Sequence, residues 1–295
     1  MKKIKIGDIV GRKSYGCDVL FKINDIYEHK GETRAKLKGL DVRLIADAPM
    51  EDLELQNPDT IFQFRLRMIE KNNQCMRRIL MNREIMRKTK NFHGTEALEE
   101  ENDDHHGDFF EVPGRVLHLD GDKDYLEKCM RSYIQMEVPA RGFHVPEKEQ
   151  PQAIEKILAE YTADILVLTG HDGFVKGTQD FSRVDNYHNS KYFAEAVRTA
   201  RKLDPSRNGL VIFAGACQSH YESLLEAGAN FASSPQRVLI HAFDPVFLVE
   251  KIAYTSFTEL VSLKDIIENT ITGEDGIGGI ETHGRFRMGY PKSPY

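Results

Sequence analysis

Several features that would quickly place a sequence in a class of proteins are scarce or missing here. The chain has only four cysteines, Cys17, Cys75, Cys129 and Cys217. No two of them have the C-x-x-C spacing of a zinc ribbon. Cysteines this scattered also exclude a compact disulfide framework, and they fit a reducing cytosol.

Long apolar runs and an excess of positive charge are also missing. No stretch approaches the roughly 18 apolar residues of a membrane-spanning helix, and the basic start MKKIKIGDIV lacks the apolar segment of a signal peptide. The net charge of −6 gives no overall attraction to nucleic acid or to an anionic membrane. We therefore expect a cytoplasmic protein, without membrane partners and with nucleic acid disfavoured as a partner.

What is present divides the 295 residues into three parts. Residues 1–57 contain short segments of β-branched and charged residues with glycines between them, at Asp18–Ile26, Thr33–Lys38 and Asp41–Ile45. The stretch is too short for a β-sandwich. It predicts a small SH3-like β-barrel domain.

Residues 58–112 are predicted to form a basic helix followed by an acidic flexible linker. From Arg65 to Lys90 there are nine Lys or Arg and two Glu, with apolar residues at helical intervals. Residues 91–113 then hold eight Asp or Glu and no Lys or Arg, a pattern typical of solvated segments. His105 and His106 lie in this acidic stretch without further ligand spacing, so no metal site is expected there.

Residues 113–295 alternate between predicted strands and helices. This order predicts an α/β domain with a doubly wound, mainly parallel sheet. The weak phosphate-loop pattern at residues 276–279 (GIGG) lacks the flanking strand and helix that such a loop needs. The predicted strands are Arg115–Leu119, Ala140–Val145, Asp164–Thr169, Gly209–Ala214 and Val238–His241. The predicted helices are Asp124–Met136, Gln150–Tyr161, Tyr192–Leu203, Ser219–Ala227, Pro245–Ala253 and Lys264–Ile271.

Two of the buried strands lead into residues suited to nucleophilic catalysis. Asp164–Thr169 is followed by Gly170-His171, and Gly209–Ala214 by Gly215-Ala216-Cys217. In the flavodoxin-like strand order 2-1-3-4 these strands are neighbours, so His171 and Cys217 would meet at one sheet edge. Cys217 would also begin the next helix, whose dipole favours a thiolate.

This pair of side chains fits a thiol hydrolase. A thiolate attacks a carbonyl, and an imidazole protonates the leaving amine. Backbone N–H groups of Cys217 and of Asp172 or Gly173 would hold the developing oxyanion. A lone cysteine or histidine after a strand is more often structural. Here each follows its own buried strand beside a glycine, and the spacing of 46 residues (171 to 217) is close to that of caspases.

Residues 113–255 resemble clan CD peptidases, namely caspases, gingipains, legumains and separases. Their pattern is an apolar block ending in His-Gly and a later apolar block ending in Ala-Cys, and here the blocks are ILVLTGHDG and LVIFAGACQ. Asp172 stands where glycine usually follows the histidine. The resemblance implies a caspase-like cysteine endopeptidase with Cys217 as nucleophile and His171 as acid/base partner, without a cofactor or a metal.

Over its whole length the chain is similar to the YabG family of sporulation-specific proteases. The matching segments are KIGDIVGRKSYG, DVRLIADAP, RVLHLDGD, LTGHDG and VIFAGACQSHYESLLEAGANFASSP. The resemblance implies that spore coat and related precursor proteins are processed in the mother cell. It is also compatible with association of the protease with the spore coat. It also implies cleavage next to basic residues and self-processing.

Binding of a basic side chain requires an acidic partner. Asp120 and Asp122 lie just beyond the first strand of the sheet and are the candidates for substrate binding, with Asp172 and Asp185 as rivals. For self-cleavage we expect a site between residues 77 and 115. Among the basic residues of this interval, those next to the acidic linker are Arg83, Arg87, Lys88 and Lys90.

Two other functions stay open at this point. A glutamine-amidotransferase-like thiol hydrolase also has a strand–Gly-x-Cys–helix elbow, and its partner histidine would be His241. A non-enzymatic spore-assembly or nucleic-acid-binding protein would keep Cys217 in its core. His220 is expected on a helix surface, and the sequence predicts no particular oligomeric state.

Overall fold

The N-terminal part of the chain is an antiparallel sheet separate from the rest. The computed structural model describes residues 4–96 and 109–293. The sheet has the order β4-β3-β2-β1-β5, and Val10, Ile23 and Leu37 point into its small apolar core. Its strands are β1 (Ile9–Arg12), β2 (Phe21–His29), β3 (Glu32–Gly39), β4 (Ile45–Pro49) and β5 (Leu53–Leu55).

The predicted strand at Asp41–Ile45 is wrong except for its last residue. Residues 40–44 form the loop between β3 and β4. Their backbone pairs outside the sheet, because Val42 forms an antiparallel bridge with His241 and the Ala242 N–H donates to the Asp41 carbonyl at 2.9 Å. This loop, residues 40–44, is called the cleft loop below.

The predicted basic helix is present as α1 (Pro58–Glu96), and it runs beyond the expected end near Lys90. Ile79 packs into the core on one face of the larger sheet, so the helix is anchored against that part of the molecule. The acidic segment of residues 97–108, with His105 and His106, lies outside the described residues.

The second sheet is mainly parallel and has the predicted strand order. Its order is β8-β7-β9-β10-β11, with β12 antiparallel at one edge, so the predicted order 2-1-3-4 is confirmed. A separate pair, β6 and β13, lies apart from it. The strands are β6 (Phe110–Val112), β7 (Val116–Asp120), β8 (Ala140–His144), β9 (Ile165–Thr169), β10 (Val211–Ala214), β11 (Phe231–Ser233), β12 (Ile277–Gly279) and β13 (Arg287–Gly289).

Helices cover both faces of this parallel sheet. One face packs against α3, α4 and α5, and the other against α1, α2, α6 and α7. Alternate residues of β7 explain the two layers, since Leu117 and Leu119 face the first layer and Val116 faces the second. The helices are α2 (Lys123–Gln135), α3 (Gln150–Glu160), α4 (Ser190–Leu203), α5 (Tyr221–Glu226), α6 (Asp244–Tyr254) and α7 (Leu263–Asn269).

Two local predictions in this region are wrong. The fifth strand is β11 and not Val238–His241, whose backbone instead contacts neighbouring loops, as in the hydrogen bond from Gln218 N to Val238 O at 3.0 Å. Helix α5 begins at Tyr221, so Cys217 lies in a turn before it and not at a helix N-terminus. The GIGG segment, for which the sequence predicted no phosphate loop, contributes the edge strand β12.

Within residues 4–96 and 109–293, no helix combines the length and the apolar composition needed to span a bilayer.

Candidate active site

His171 and Cys217 lie on loops that leave neighbouring parallel strands at the same edge. Leu168 of β9 pairs with Ala214 of β10, and each candidate residue stands three positions beyond its member of that pair. The loops continue side by side, since a Cβ added to Gly173 would be 3.5 Å from the side-chain oxygen of Gln218. The parallel sheet therefore brings the two loops together.

The imidazole of His171 is held in a defined orientation. Its Nε2 lies 2.8 Å from Oδ2 of Asp122, and its backbone N–H donates to Glu147 Oε1 at 2.7 Å. Nδ1 is buried and has no hydrogen-bond partner in the described part of the chain. Because a carboxylate only accepts, the hydrogen of this contact is on Nε2, which makes Nδ1 the nitrogen available to accept a proton.

Asp122 is itself fixed from several sides. It is the N-cap of α2, and Oδ1 accepts the backbone N–H groups of Asp124 at 2.9 Å and Tyr125 at 3.1 Å. Lys38 of the N-terminal sheet places its Nζ 2.6 Å from Oδ2. Burial would raise the pKa of the Asp122 carboxyl, but the hydrogen bonds from His171 and Lys38 hold it well below its usual value.

Cys217 is fully buried in this structure. Its Sγ lies 3.3 Å from the backbone nitrogen of Ile240 and 3.6 Å from the Ile240 carbonyl oxygen. Burial raises the pKa of the thiol to about 12, against hydrogen bonds from the backbone N–H groups of Ile240 and Arg43 and against the charge of Arg43. In the residues described, no hydrogen bond joins Sγ to His171 Nδ1. The thiol is therefore protonated and covered.

The loop after His171 is braced by the buried carboxylate of Asp172. Its Oδ1 accepts the N–H of Gly173 at 2.9 Å, so this donor is not free for an oxyanion. Oδ2 accepts the hydroxyl of Ser219 at 2.8 Å and that of Ser190, which ties the His171 loop to the Cys217 loop. Burial raises the pKa of Asp172, and the hydrogen bonds that its carboxylate accepts act in the opposite direction.

Asp120 forms the floor of a buried acidic pocket at the end of β7. Its Oδ2 lies 2.5 Å from a guanidinium nitrogen of Arg43, and both side chains are fully buried. Burial acts to raise the pKa of Asp120, but Arg43 holds it well below its usual value. The pocket walls include the Tyr125 ring and the Ala242 carbonyl, which lie 5.2 and 3.3 Å from the guanidinium group.

Comparison with known proteins gives a single family. The model of the YabG peptidase U57 family matches residues 5–291. The chain belongs to this family. It is 44% identical over 290 residues to the sporulation-specific protease YabG of Bacillus subtilis (strain 168), and the match covers 98% of both chains. No solved structure matches. This YabG-family chain is therefore a peptidase, and specifically a sporulation protease.

Three residues at the centre of this YabG-family site were not predicted. They are Arg43, Tyr125 and Glu147. Glu147 fills the space beside the glycines that follow β7 and β9, since a Cβ on Gly121 or Gly170 would come within 2.2 or 2.3 Å of its Oε1. Arg43 did have a signal, an arginine inside the apolar pattern of DVRLIADAP, but the sequence does not show which acid it meets.

The other candidate histidines, His241 and His220, each accept a backbone N–H group. His241 is buried, burial lowers its pKa to about 3, and its Nδ1 accepts the N–H of Phe243 at 3.2 Å. His220 caps α5 by accepting the N–H of Ser223 at 3.2 Å, so the expectation of a surface position is wrong. Asp185 is exposed.

Proposed function

We propose that this sporulation protease is a cysteine endopeptidase with Cys217 as nucleophile and His171 as acid/base. One observation carries the proposal. The two residues lie on loops at one edge of the parallel sheet, where Asp122 binds Nε2 of the imidazole and Nδ1 is buried without a partner among the described residues. An unpartnered buried polar atom is rare and is often a functional one.

The residues support an ordinary thiol mechanism. Nδ1 of His171 takes the proton of Cys217, and the sulfur attacks the scissile carbonyl. The imidazolium, stabilised by Asp122, then gives that proton to the leaving amine, and water hydrolyses the thioester. For the oxyanion, the backbone N–H groups of Asp172 and Cys217 are the better donors, because Gly173 donates to Asp172.

Cleavage next to a basic residue is supported by the acidic pocket. Its buried Asp120 carboxylate already pairs with the guanidinium group of Arg43, so the pocket has the charge partner that a basic side chain requires. The Tyr125 ring adds an aromatic face for a cation. Asp122 serves the pocket less directly in this proposal, since its carboxylate binds His171 and Lys38.

The finer fold assignments belong to the same proposal. A caspase-like fold for residues 113–295 is supported by the strand order and by the loops that carry His171 and Cys217. An SH3-like barrel for residues 1–57 is supported by the five short antiparallel strands. Residues 58–112 remain assigned as a helix and an acidic linker between the two.

For the physiological role we propose the processing of spore coat and related precursor proteins in the mother-cell cytoplasm, with self-cleavage. The support is the identity to the Bacillus subtilis sporulation-specific protease over almost the whole chain. Self-cleavage between residues 77 and 115 stays a prediction, and residues 97–108 of that interval lie outside the described part of the chain.

The catalytic assignment is tested with point variants and a fluorogenic peptide that has arginine before the scissile bond. Cys217→Ala and His171→Ala should each lower kcat/KM at least a thousandfold, while His241→Ala keeps measurable cleavage. Cys75→Ala is the matched cysteine control and should behave like wild type. Undiminished cleavage by Cys217→Ala would remove the proposal, and loss in His241→Ala but not in His171→Ala would favour the amidotransferase-like arrangement.

A further inference from the structure

At Asp41 and Val42 the cleft loop pairs with backbone at the proposed catalytic edge, and it then turns at Arg43, because the Leu44 N–H donates to the Val42 carbonyl at 2.8 Å. Val42 pairs antiparallel with His241, and the Asp41 carbonyl accepts the N–H of Ala242 at 2.9 Å. The Tyr125 hydroxyl donates to the Val42 carbonyl at 2.8 Å. Pairing of an extended segment with an exposed backbone edge is a general mode of peptide recognition, in which side-chain pockets add specificity.

The side chain of Arg43 fills the acidic pocket completely. Its guanidinium contacts Asp120 at 2.5 Å and the Ala242 carbonyl at 3.3 Å, and no part of it reaches solvent. Arginine is rarely buried to this extent without a specific partner. The chain therefore supplies, from its own N-terminal sheet, the basic residue that the pocket is suited to bind.

The backbone before Arg43 is tied to the neighbourhood of Cys217. Val42 bridges to His241, and Ile240, the residue before His241, places its backbone nitrogen 3.3 Å from Cys217 Sγ. Two residues beyond Arg43, Ile45 borders a groove of about 860 Å³ that His171 and Asp172 also line. The peptide bond after Arg43 therefore belongs to the stretch of chain that connects the neighbourhood of the sulfur to a groove lined by the imidazole.

We propose that the bond between Arg43 and Leu44 is a self-processing site, and that the cleft loop keeps the catalytic cleft closed until this bond is cut. The proposal rests on the cysteine mechanism proposed above. It places the first cut at a different point from the interval of residues 77–115.

The step balances as a peptide hydrolysis. The sulfur of Cys217 bonds to the carbonyl carbon of Arg43, the C–N bond to Leu44 breaks, and the new amine of Leu44 takes the proton held by His171. Water then cleaves the thioester, leaves a carboxylate on Arg43 and restores the thiol.

Cutting opens the cleft because it removes a tether. Before the cut, the ends of the cleft loop are joined by the hydrogen bond from Gly39 N to Leu44 O at 2.9 Å, so Arg43 competes with outside substrates at a high effective concentration. Afterwards Arg43 is a chain end, held only by the contacts of its side chain and of Asp41 and Val42.

The decisive experiment follows purified full-length chain by intact mass under denaturing conditions. Wild type should give fragments 1–43 and 44–295, whose masses sum to the chain plus one water, and Cys217→Ala should stay intact. Because the loop already occupies its own cleft, the rate should not change over a hundredfold dilution. Added wild type should not cut this bond in Cys217→Ala.

Two variants test separately the binding of Arg43 in the acidic pocket and the cleavage of the bond that follows it. Leu44→Pro keeps the pair of Arg43 with Asp120 but makes the bond a poor substrate, so cutting after Arg43 and activity on an added arginine peptide should each fall at least tenfold. Arg43→Gln should abolish that cut and speed labelling of Cys217 by iodoacetamide at least tenfold. Arg34→Gln, on the same sheet, is the matched control and should process like wild type.

The outcomes distinguish this inference from the proposed function. If wild type cleaves the arginine peptide while the Arg43–Leu44 bond stays whole, the self-processing site is excluded and the cysteine mechanism stands. If Leu44→Pro remains uncut and is as active as wild type on the peptide, closure of the cleft by the uncut loop is excluded and the cysteine mechanism stands. If wild type cuts neither the peptide nor itself, the proposed function fails.

Discussion

At the scale of single residues, the orientation of His171 depends on one carboxylate with several tasks. Asp122 caps α2, binds Lys38 and accepts the imidazole hydrogen at 2.8 Å. A carboxylate in this position fixes which ring nitrogen is free and stabilises the imidazolium that forms during the reaction. Asp122 is therefore a positioning residue in the proposed mechanism, since it does not touch the reacting carbonyl.

Asp122→Asn should lower kcat for peptide cleavage by about a hundredfold or more and leave KM within about twofold. Asparagine is as good an N-cap as aspartate, so the helix should persist, but its amide can offer an N–H to Nε2 and favour the wrong tautomer. Steady-state kinetics with the arginine peptide measure the split between kcat and KM.

Asp124→Asn is the matched control, because Asp124 shares Lys38 with Asp122 but does not contact the imidazole. It should keep nearly full kcat. A purely structural role for Asp122 would instead show as a lowered unfolding midpoint with unchanged kcat per folded molecule.

The sequence was sufficient to predict that His171, Cys217 and Asp120 lie at one edge of the sheet, whereas their roles in catalysis and binding stay predictions. Each directly follows or ends a strand that is buried on both faces, and such strands appear as continuous apolar runs. The ends of parallel strands lie at a common edge, so the residues could be brought together without coordinates. Arg43 could not be placed, because its partner Asp120 lies in a distant part of the chain and apolar patterning gives no information on that pairing.

At the scale of elements, α1 is joined to the parallel-sheet domain by a buried ion pair and an aromatic contact. Arg83 of α1 lies 3.5 Å from Oε1 of Glu250 on α6 and stacks over the Tyr254 ring at 4.0 Å. It also donates to the Met136 carbonyl at 2.8 Å. Burial raises the pKa of Glu250 to about 7 even though Arg83 opposes the shift.

This raised pKa makes the free energy of unfolding depend on pH. The folded state holds the Glu250 proton up to about pH 7, whereas the unfolded chain releases it near pH 4.5, so stability is lost as pH rises between these values. In a Cys217→Ala background, Glu250→Gln should remove the effect. In urea unfolding, the free energy of unfolding of the variant, relative to that of its parent, should rise by about 2–3 kcal/mol from pH 5 to pH 8.

Glu268→Gln controls for the loss of a charge, because the side chain of Glu268 is exposed and only pairs with Lys264 at 3.7 Å. Its unfolding free energy should follow the parent within about 0.5 kcal/mol at both pH values. A pH dependence in Glu250→Gln equal to that of the parent would assign the effect to other groups.

The sequence-based prediction was wrong for segments whose backbone pairs with distant parts of the chain. Val238–His241 has the apolar composition of a strand, yet its backbone meets the loops around Gln218 and Val42. The true fifth strand, β11, has only three residues. Patterns of alternation and propensity describe what a segment prefers locally, and here non-local pairing decides its state.

At the scale of the whole molecule, the N-terminal sheet and the parallel sheet meet at the proposed catalytic edge and not at a remote surface. Lys38 of β3 binds Asp122 and Asp124 at the start of α2, directly beside the cleft loop. The Tyr125 hydroxyl lies 2.5 Å from the carbonyl oxygen of Gly39, at the end of β3, and 2.8 Å from that of Val42 in the cleft loop. Any motion of the N-terminal sheet relative to α2 must therefore alter how the cleft is covered.

Weakening this contact should increase opening of the cleft loop. Lys38→Gln in a Cys217→Ala background removes two ion pairs, one of them largely shielded from solvent, and should increase amide hydrogen exchange in residues 39–45 about tenfold. In the parent, a higher salt concentration should increase this exchange by less than the substitution Lys38→Gln does. The reason is that burial limits screening of the ion pair between Lys38 and Asp122. Hydrogen exchange with mass spectrometry measures both.

Lys36→Gln is the matched control on the same strand, and it should leave exchange in the cleft loop unchanged. If Lys38→Gln also left it unchanged, the cover would be held by Arg43 and the bridge of Val42 to His241 alone. The N-terminal sheet would then carry the cleft loop without contributing to closure of the cleft. A tenfold increase in exchange would instead show that docking of the sheet and closure of the cleft are one equilibrium, so a partner that binds this sheet could control access to Cys217.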